Sequence, residues 1–237
     1  PVLFPIIGQL LDEKYRYSGR EYEMPKHGFA RHSVFALKEQ SEDSMTFSLA
    51  SSDETRKCYP FEFELLIKYS VSGHTLRCTS TVINKTDGEM YFSIGAHPGF
   101  NCRIGDAIEF EKGENLRTMR IDSSSILMDE TFPVELENGR TIRLTEHIFD
   151  KDALILEGLN SESLRLVSGD RTVKFTFGKA PYLGIWAKPN APYVCLEPWY
   201  GVNDSCDKKD SIAEKRGIEK LEKGETFSFD WTAELEG

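Results

Sequence analysis

The segment Phe61-Glu62-Phe63-Glu64-Leu65-Leu66-Ile67-Lys68-Tyr69-Ser70-Val71 places an apolar side chain at every second position. A period of two sends alternate side chains to opposite faces of a strand, so the pattern predicts a long β-strand with one buried face. Ser72-Gly73 interrupts it, and Thr75 to Ile83, rich in β-branched residues, then runs on to Asn84-Lys85-Thr86-Asp87-Gly88. Two such runs joined by a turn read as an antiparallel hairpin.

On either side of this hairpin the same kind of segment recurs. Met45 to Leu49, Met90 to Ile94, Ala107 to Glu111, Thr141 to Leu144 and Ala153 to Glu157 read as strands. So do Ser163 to Ser168, Thr172 to Phe177, Tyr182 to Ala187, Tyr193 to Glu197 and Thr226 to Thr232. Most are bounded by Gly, Pro, Asn or Asp, as at Asn138-Gly139. Many short strands separated by turn residues, with almost no helical period, predict an all-β fold: a large antiparallel sandwich. One short helix is expected around Ser211 to Lys215, where Ser211 and Glu214 have capping-box spacing. No repeat or low-complexity linker divides the 237 residues, which fit one sandwich domain over 1–237.

Composition narrows the partners. A hydrophobic fraction of 39% with 29% charged residues of both signs is that of a soluble globular protein. No apolar run approaches the roughly 18 residues of a membrane span. A net charge of -10 without clustered Lys or Arg excludes a nucleic-acid backbone as partner and leaves a small neutral or cationic ligand. The five cysteines, Cys58, Cys78, Cys102, Cys195 and Cys206, are odd in number and form no CxxC pair, which points to free thiols and a cytoplasmic location. Three of them adjoin strand-like apolar residues and read as small core hydrophobes, so none is given a catalytic role.

Three short stretches combine turn residues with ionisable ones. Pro25-Lys26-His27-Gly28-Phe29-Ala30-Arg31-His32 sets a histidine before a glycine, so the backbone can turn closely around a bound group. Gly95-Ala96-His97-Pro98-Gly99-Phe100 locks a histidine at the end of a strand. Cys195-Leu196-Glu197-Pro198-Trp199-Tyr200-Gly201 ends an apolar strand on a carboxylate flanked by aromatics. Strand ends opening into loops are where sites sit. A histidine is more often structural than catalytic, and a buried carboxylate can be a structural hydrogen-bonding group. Against that, a carboxylate after Tyr193-Val194-Cys195-Leu196 is desolvated, which raises its pKa or demands a partner. Carboxylate and imidazole can be tuned to exchange acid and base roles near neutrality, without a cofactor. Trp199, Phe29 and Trp186 read as core by default, although an aromatic beside a carboxylate also suits the apolar face of a pyranose.

At these residues the chain resembles the aldose 1-epimerase (galactose mutarotase-like) superfamily, in its LacX-type branch. The motifs that carry the resemblance are Pro1-Val2-Leu3-Phe4-Pro5-Ile6-Ile7-Gly8, Met24-Pro25-Lys26-His27-Gly28-Phe29-Ala30-Arg31, Gly95 to Phe100, Asp152-Ala153-Leu154-Ile155-Leu156, Tyr182-Leu183-Gly184-Ile185-Trp186 and Cys195 to Trp199. They run in the family's order from one end of the chain to the other. The resemblance implies a β-supersandwich with a sugar in an open cleft across one sheet, interconverting anomers of a hexose. It implies Glu197 as general base on the C1 hydroxyl, His97 as general acid at the ring oxygen, and His27 as a second histidine orienting the substrate. Asp152 falls where the family places an aspartate that binds sugar hydroxyls, with Asp150 as the neighbouring register, and Arg31 and Trp199 are further binding candidates.

The resemblance has two departures. The family carries strands ahead of the first motif, so N-terminal strands of the sandwich are expected to be missing here. Galactose mutarotases carry an arginine shortly after that motif, and Ile7-Gly8-Gln9-Leu10-Leu11 offers none, so galactose specificity is not implied. A phosphosugar would need clustered Arg or Lys, and only Lys26 and Arg31 lie near the motifs. Three competing readings are a sugar binder or sensor without turnover, a glycoside hydrolase using Asp152 and Glu197, and a metal site from His27, His32, His97 and Glu197. No metal ligand is assigned, because the histidine spacing makes no convincing pair without a helix.

Overall fold

The structure, a computed structural model, describes residues 1–169, 171–207 and 211–236. The hairpin forms as the sequence predicts. Strands Phe63–Ser72 and Thr75–Asn84 pair antiparallel from Phe63 opposite Asn84 to Ser72 opposite Thr75. The two-residue turn between them takes a positive φ at Gly73. Phe63, Leu65 and Ile67 are buried, whereas Tyr69 and Val71 are 38% and 52% exposed. The alternation therefore fixes the face along the whole strand, but the end of the hairpin nearest Gly73 extends beyond the core.

Two large antiparallel sheets face one another. A nine-stranded sheet is built around the hairpin, with Ser44–Ala50 on one side and the long strand Thr226–Glu236 on the other. The opposing eight-stranded sheet runs through Val2–Leu3, Ile94–Ala96, Tyr193–Tyr200, Tyr182–Trp186, Leu154–Glu157, Arg117–Ile121 and Leu127–Pro133, with Gly99–Asn101 also pairing Tyr193–Tyr200. One apolar cluster fills the space between the sheets, joining Phe63, Leu65 and Phe175 of the first to Leu156, Leu183 and Leu196 of the second. A second, smaller cluster covers the outer face of the eight-stranded sheet, where Ile7, Met119, Ile155, Tyr182, Trp199 and Val202 meet. Strand Tyr193–Tyr200 is thus buried on both faces. That is why it reads as a continuous apolar run and not as an alternation.

Several strands were not legible. Lys14–Tyr17, Arg20–Glu23, Ala36–Gln40, Arg117–Ile121 and Leu127–Pro133 are short, charged or largely exposed, so no period of two stands out. The expected helix near Ser211 is a single 3-10 turn, Ile212–Glu214, in which the Ser211 hydroxyl accepts from the Ala213 amide and Glu214 closes no capping box. The capping box lies elsewhere, at helix Asp53–Cys58, where Ser52 and Thr55 each bond the other's backbone amide. With Thr in place of Glu or Gln at the third position and no apolar stripe, that helix gives little sequence signal.

A buried ion pair ties the outer loops to the sheet. Lys215 Nζ lies 3.0 Å from Asp204 Oδ1, with both side chains under a tenth exposed. Asp204 Oδ2 accepts the Leu11 amide and its backbone carbonyl accepts the Leu127 amide, so three segments converge on one residue. Breaking one side of such a pair strands a buried charge. Asp204→Ala is expected to cost about 3–5 kcal/mol in urea unfolding, and Asp204→Leu with Lys215→Met should recover a large part of that loss. A cost below about 1 kcal/mol would show that the pair does not hold these loops.

Candidate active site

The site is built by an interruption in one hydrogen-bond ladder. Strand Tyr193–Tyr200 pairs with Ile94–Ala96 through Trp199 opposite Gly95, and with Gly99–Asn101 through Cys195 opposite Gly99. Counting inward from both ends sets His97 opposite Glu197. The ladder is interrupted there because Pro98 has no N–H to return a bond, although the Leu196 amide still donates to the Pro98 carbonyl opposite it. Pro198 lies in the same gap, where a central strand would otherwise not accept it, because no donor is needed. Opposed residues project from the same face of a sheet. His97 Nε2 accordingly lies 3.3 Å from Glu197 Oε1.

The carboxylate is held from the other side as well. Trp199 shares its face of the strand and donates its indole N–H to Glu197 Oε2 at 3.2 Å. The indole lies across the sheet over two glycines: a Cβ on Gly184 would come within 2.6 Å of Trp199 Cζ2, and one on Gly95 within 2.7 Å of Cδ1. Both glycines belong to motifs that carry the family resemblance, Gly95 to Phe100 and Tyr182 to Trp186. At 4% exposed, Trp199 offers the cleft little open face. The more accessible aromatic is Trp186, whose ring meets the His97 ring edge-on at 6.3 Å between centroids.

His27 arrives from a turn with two consecutive left-handed residues, φ 64 at His27 and φ 71 at Gly28. A Cβ on Gly28 would lie 2.2 Å from the Phe4 carbonyl oxygen, so only glycine fits there. The His27 amide donates to the Gly8 carbonyl, and the Gly8 amide donates to His27 Nδ1 at 3.1 Å. With Nδ1 occupied as an acceptor, the imidazole carries its proton on Nε2.

All six residues singled out from the sequence, His27, Arg31, His97, Asp152, Glu197 and Trp199, line one cleft of about 330 Å³. Asp150 does not line it: its carboxylate pairs with His147 Nδ1 at 2.9 Å. Lys26, Trp186 and Asn203 line the cleft too and were not assigned from the sequence. Lys26 stands out in the sequence only as a cation near the motifs, and Asn203, between Val202 and Asp204, carries no sequence signal of its own. His32 and His74 are absent from the cleft lining.

Burial sets the electrostatics. Glu197 is 2% exposed, and desolvation pushes its carboxyl up to about 8 against the Trp199 hydrogen bond, with the Asp152 charge adding to the rise. Desolvation lowers His97, and Arg31 nearby acts in the same direction. His27 is pushed down to about 3 by burial, with Lys26 and Arg31 contributing, so it serves as a neutral N–H donor. The usual order of carboxylate and imidazole is inverted, and the His97–Glu197 pair holds one proton between its two members around neutrality. His97, Cys195 and Glu197 also bring one ligand-type atom each to within 4.8 Å of one another. Burial pushes the Cys195 thiol up to about 12, which keeps its proton in place unless a cation displaces it.

Residues 3–231 match the family model described as aldose 1-epimerase, and the chain belongs to that family. It is 32% identical over 243 aligned residues to the plasmid-encoded protein LacX of Lactococcus lactis subsp. lactis, covering 93% of this chain and 80% of LacX. Among solved structures it resembles a galactose mutarotase related enzyme from Lactobacillus acidophilus, with a TM-score of 0.93 at 30% identity over all of this chain and 82% of the other. A galactose mutarotase-like protein from Lactobacillus casei ATCC 334 superposes with a TM-score of 0.92 at 27% identity, over 100% of this chain and 84% of that one. Among the described residues no helix is long and apolar enough to cross a membrane.

The shifted groups make stability depend on pH with opposite signs. Glu197 titrates near 4.5 when unfolded and about 8 in the fold, so the fold holds the extra proton between these values and stability falls as pH rises through them. His27 titrates near 6.5 unfolded and about 3 folded, so its contribution is lost as pH falls through that window. Glu197→Gln should remove the first dependence and keep the second. Above the His27 window, between about pH 7 and about pH 8, the unfolding free energy is expected to fall with pH in the wild type and to stay level in the variant, and equal pH dependence in both would contradict a raised Glu197.

Proposed function

We propose that this chain interconverts the α and β anomers of a hexose that carries a free anomeric hydroxyl, with Glu197 and His97 as the reacting pair and no cofactor. The observation that carries the reading is the 3.3 Å approach of His97 Nε2 to Glu197 Oε1 in the cleft, with burial raising one group and lowering the other. Family membership supports it from a different direction. One domain spanning residues 1–237 would carry the whole site.

In the reactive form the proton of the pair resides on His97. Glu197 takes the proton of the C1 hydroxyl as the C1=O bond forms, the C1–O5 bond breaks, and His97 gives its proton to O5. Rotation about C1–C2 turns the other face of the carbonyl toward O5, and the reverse transfers close the ring as the opposite anomer. The pair begins and ends with one proton, so a turnover needs no net exchange with solvent. His27, neutral and fixed with Nε2–H outward from the Gly8 amide, donates to a substrate oxygen without competing for that proton. Asp152 accepts from sugar hydroxyls, Arg31 donates to them, and Trp199 keeps the carboxylate aimed.

The test is anomer exchange followed by NMR or polarimetry. Wild type should accelerate exchange, with kcat/KM declining above about pH 8 as the pair loses its proton and again at low pH as it gains a second. Glu197→Gln and His97→Asn should each lower kcat by about 10²–10⁴-fold with the fold intact. Exhaustive chelation should leave the rate unchanged. A wild type indistinguishable from buffer that still binds sugar would make the protein a binder.

A further inference from the structure

Among the described residues, one place brings three metal-ligating side chains together: His97, Cys195 and Glu197 set one ligand atom each within 4.8 Å of one another. Acid–base exchange uses the imidazole and the carboxylate and leaves the thiol without a task. Cys195 stands two residues before Glu197 on strand Tyr193–Tyr200, so both side chains leave the same face. Its cross-strand neighbours are Gly99 on one side and Trp186 on the other. Gly99 has no side chain to fill the space beside the sulfur, and a Cβ there would lie 3.6 Å from Sγ.

A cation needs a way in as well as ligands. His97 and Glu197 line the cleft of about 330 Å³, and the His97 side chain is 23% exposed. An ion entering from the cleft meets His97 Nε2 and Glu197 Oε1, 3.3 Å apart. Cys195, buried and outside the cleft lining, completes the set from within. Tetrahedral zinc spaces its ligand atoms about 3.3–3.6 Å apart, so the set closes with side-chain movements of about 1 Å. Three protein ligands leave a fourth position for water from the cleft.

Charge and softness select the ion. Binding releases two protons, one from the thiol and the one that His97 and Glu197 share, and leaves thiolate, carboxylate and neutral imidazole. With a divalent cation the charges sum to zero, which suits the dry surroundings of Glu197. Thiolate and imidazole favour zinc-type ions over magnesium or calcium, which take oxygen ligands. The set differs from the one that histidine spacing suggests. His27 holds its proton on Nε2 because Nδ1 accepts the Gly8 amide, and His32 is absent from the cleft lining.

We propose that His97, Cys195 and Glu197 form a reversible site for a zinc-type divalent cation, and that the bound ion switches anomer exchange off. The ion takes the imidazole nitrogen and the carboxylate oxygen that would pass the proton between the C1 hydroxyl and O5. The metal-free protein is the active form. The site stands on the geometry alone, and the inhibition rests on the anomer-exchange reading.

The experiment titrates chelated protein with cobalt(II), read by thiolate-to-metal absorption, and with zinc, read by NMR anomer exchange on glucose and galactose. The variants are Cys195→Ala and Cys195→Ser, with Cys206→Ser as a control that removes an exposed thiol near Asp129. Wild type and Cys206→Ser should develop the cobalt–thiolate band and lose at least about tenfold in exchange rate at saturating zinc. Both Cys195 variants should lack the band, need about tenfold more zinc for the same inhibition, and keep metal-free exchange within about twofold, which also reports an intact fold. A band that is absent from wild type or survives in Cys195→Ala would overturn the proposal. So would equal zinc sensitivity in wild type and both Cys195 variants, metal-free exchange lost from both variants, or a chelated wild type that exchanges sugar only once zinc is added. If no sugar is exchanged under any condition, the reading of the cleft fails on its own, and the cobalt spectrum still decides the site. A thiolate band lost in both Cys195→Ala and His97→Asn supports it, and a band untouched by either overturns it.

Discussion

The arrangement of the cleft depends on a cross-strand register. Gly95 opposite Trp199 and Gly99 opposite Cys195 hold two short strands in line against Tyr193–Tyr200, and what lies between them must oppose Glu197. A continuous ladder would have spent the backbone of that segment on hydrogen bonds and kept it in the pleat. Pro98 and Pro198, each without an N–H, fall in the gap, so the interruption leaves fewer donors stranded than other residues would. The price of an irregular sheet here is small, and the result is an imidazole and a carboxylate fixed by the same elements that build the core.

That placement determines the electrostatics. The eight-stranded sheet is covered inside by its partner sheet and outside by the loops that carry Ile7, Val202 and Asn203, so Glu197 cannot be hydrated as a surface carboxylate would be. A buried carboxylate stays neutral or finds donors. Glu197 has the Trp199 indole on one oxygen and His97 on the other. The indole can lie flat only because Gly95 and Gly184 have no side chains beneath it. Burial foremost, with Arg31 acting on both and Lys26 on His27, keeps the two histidines neutral and so leaves the shared proton with the pair.

Much of the fold was legible because alternation is a property of half-buried strands, and Phe63 to Ile67 displays it plainly. Strands Arg117–Ile121 and Leu127–Pro133 were missed because their outward positions are charged and their inward ones sparse. The limits of Tyr193–Tyr200 were misjudged at Glu197 because Pro198 reads as a strand end, and only the break in the neighbouring ladder lets it continue. Of the candidate site, His27, His97 and Glu197 stood out through their glycine and proline neighbours, which mark special backbone. Asn203 and the supporting glycines could not be recognised alone, since their roles exist only in relation to Trp199, Gly8 and the loop pinned by Lys215 and Asp204.

In this arrangement His97 and Glu197 share one proton. The most direct measurement is a pH titration of the His97 imidazole nitrogens by ¹⁵N NMR, in wild type and in Glu197→Gln. In wild type the His97 resonances should move near pH 8, where the carboxyl loses its hold on the common proton, and this step should disappear in the variant. A His97 that titrates alone around its ordinary 6.5 in both proteins would contradict it.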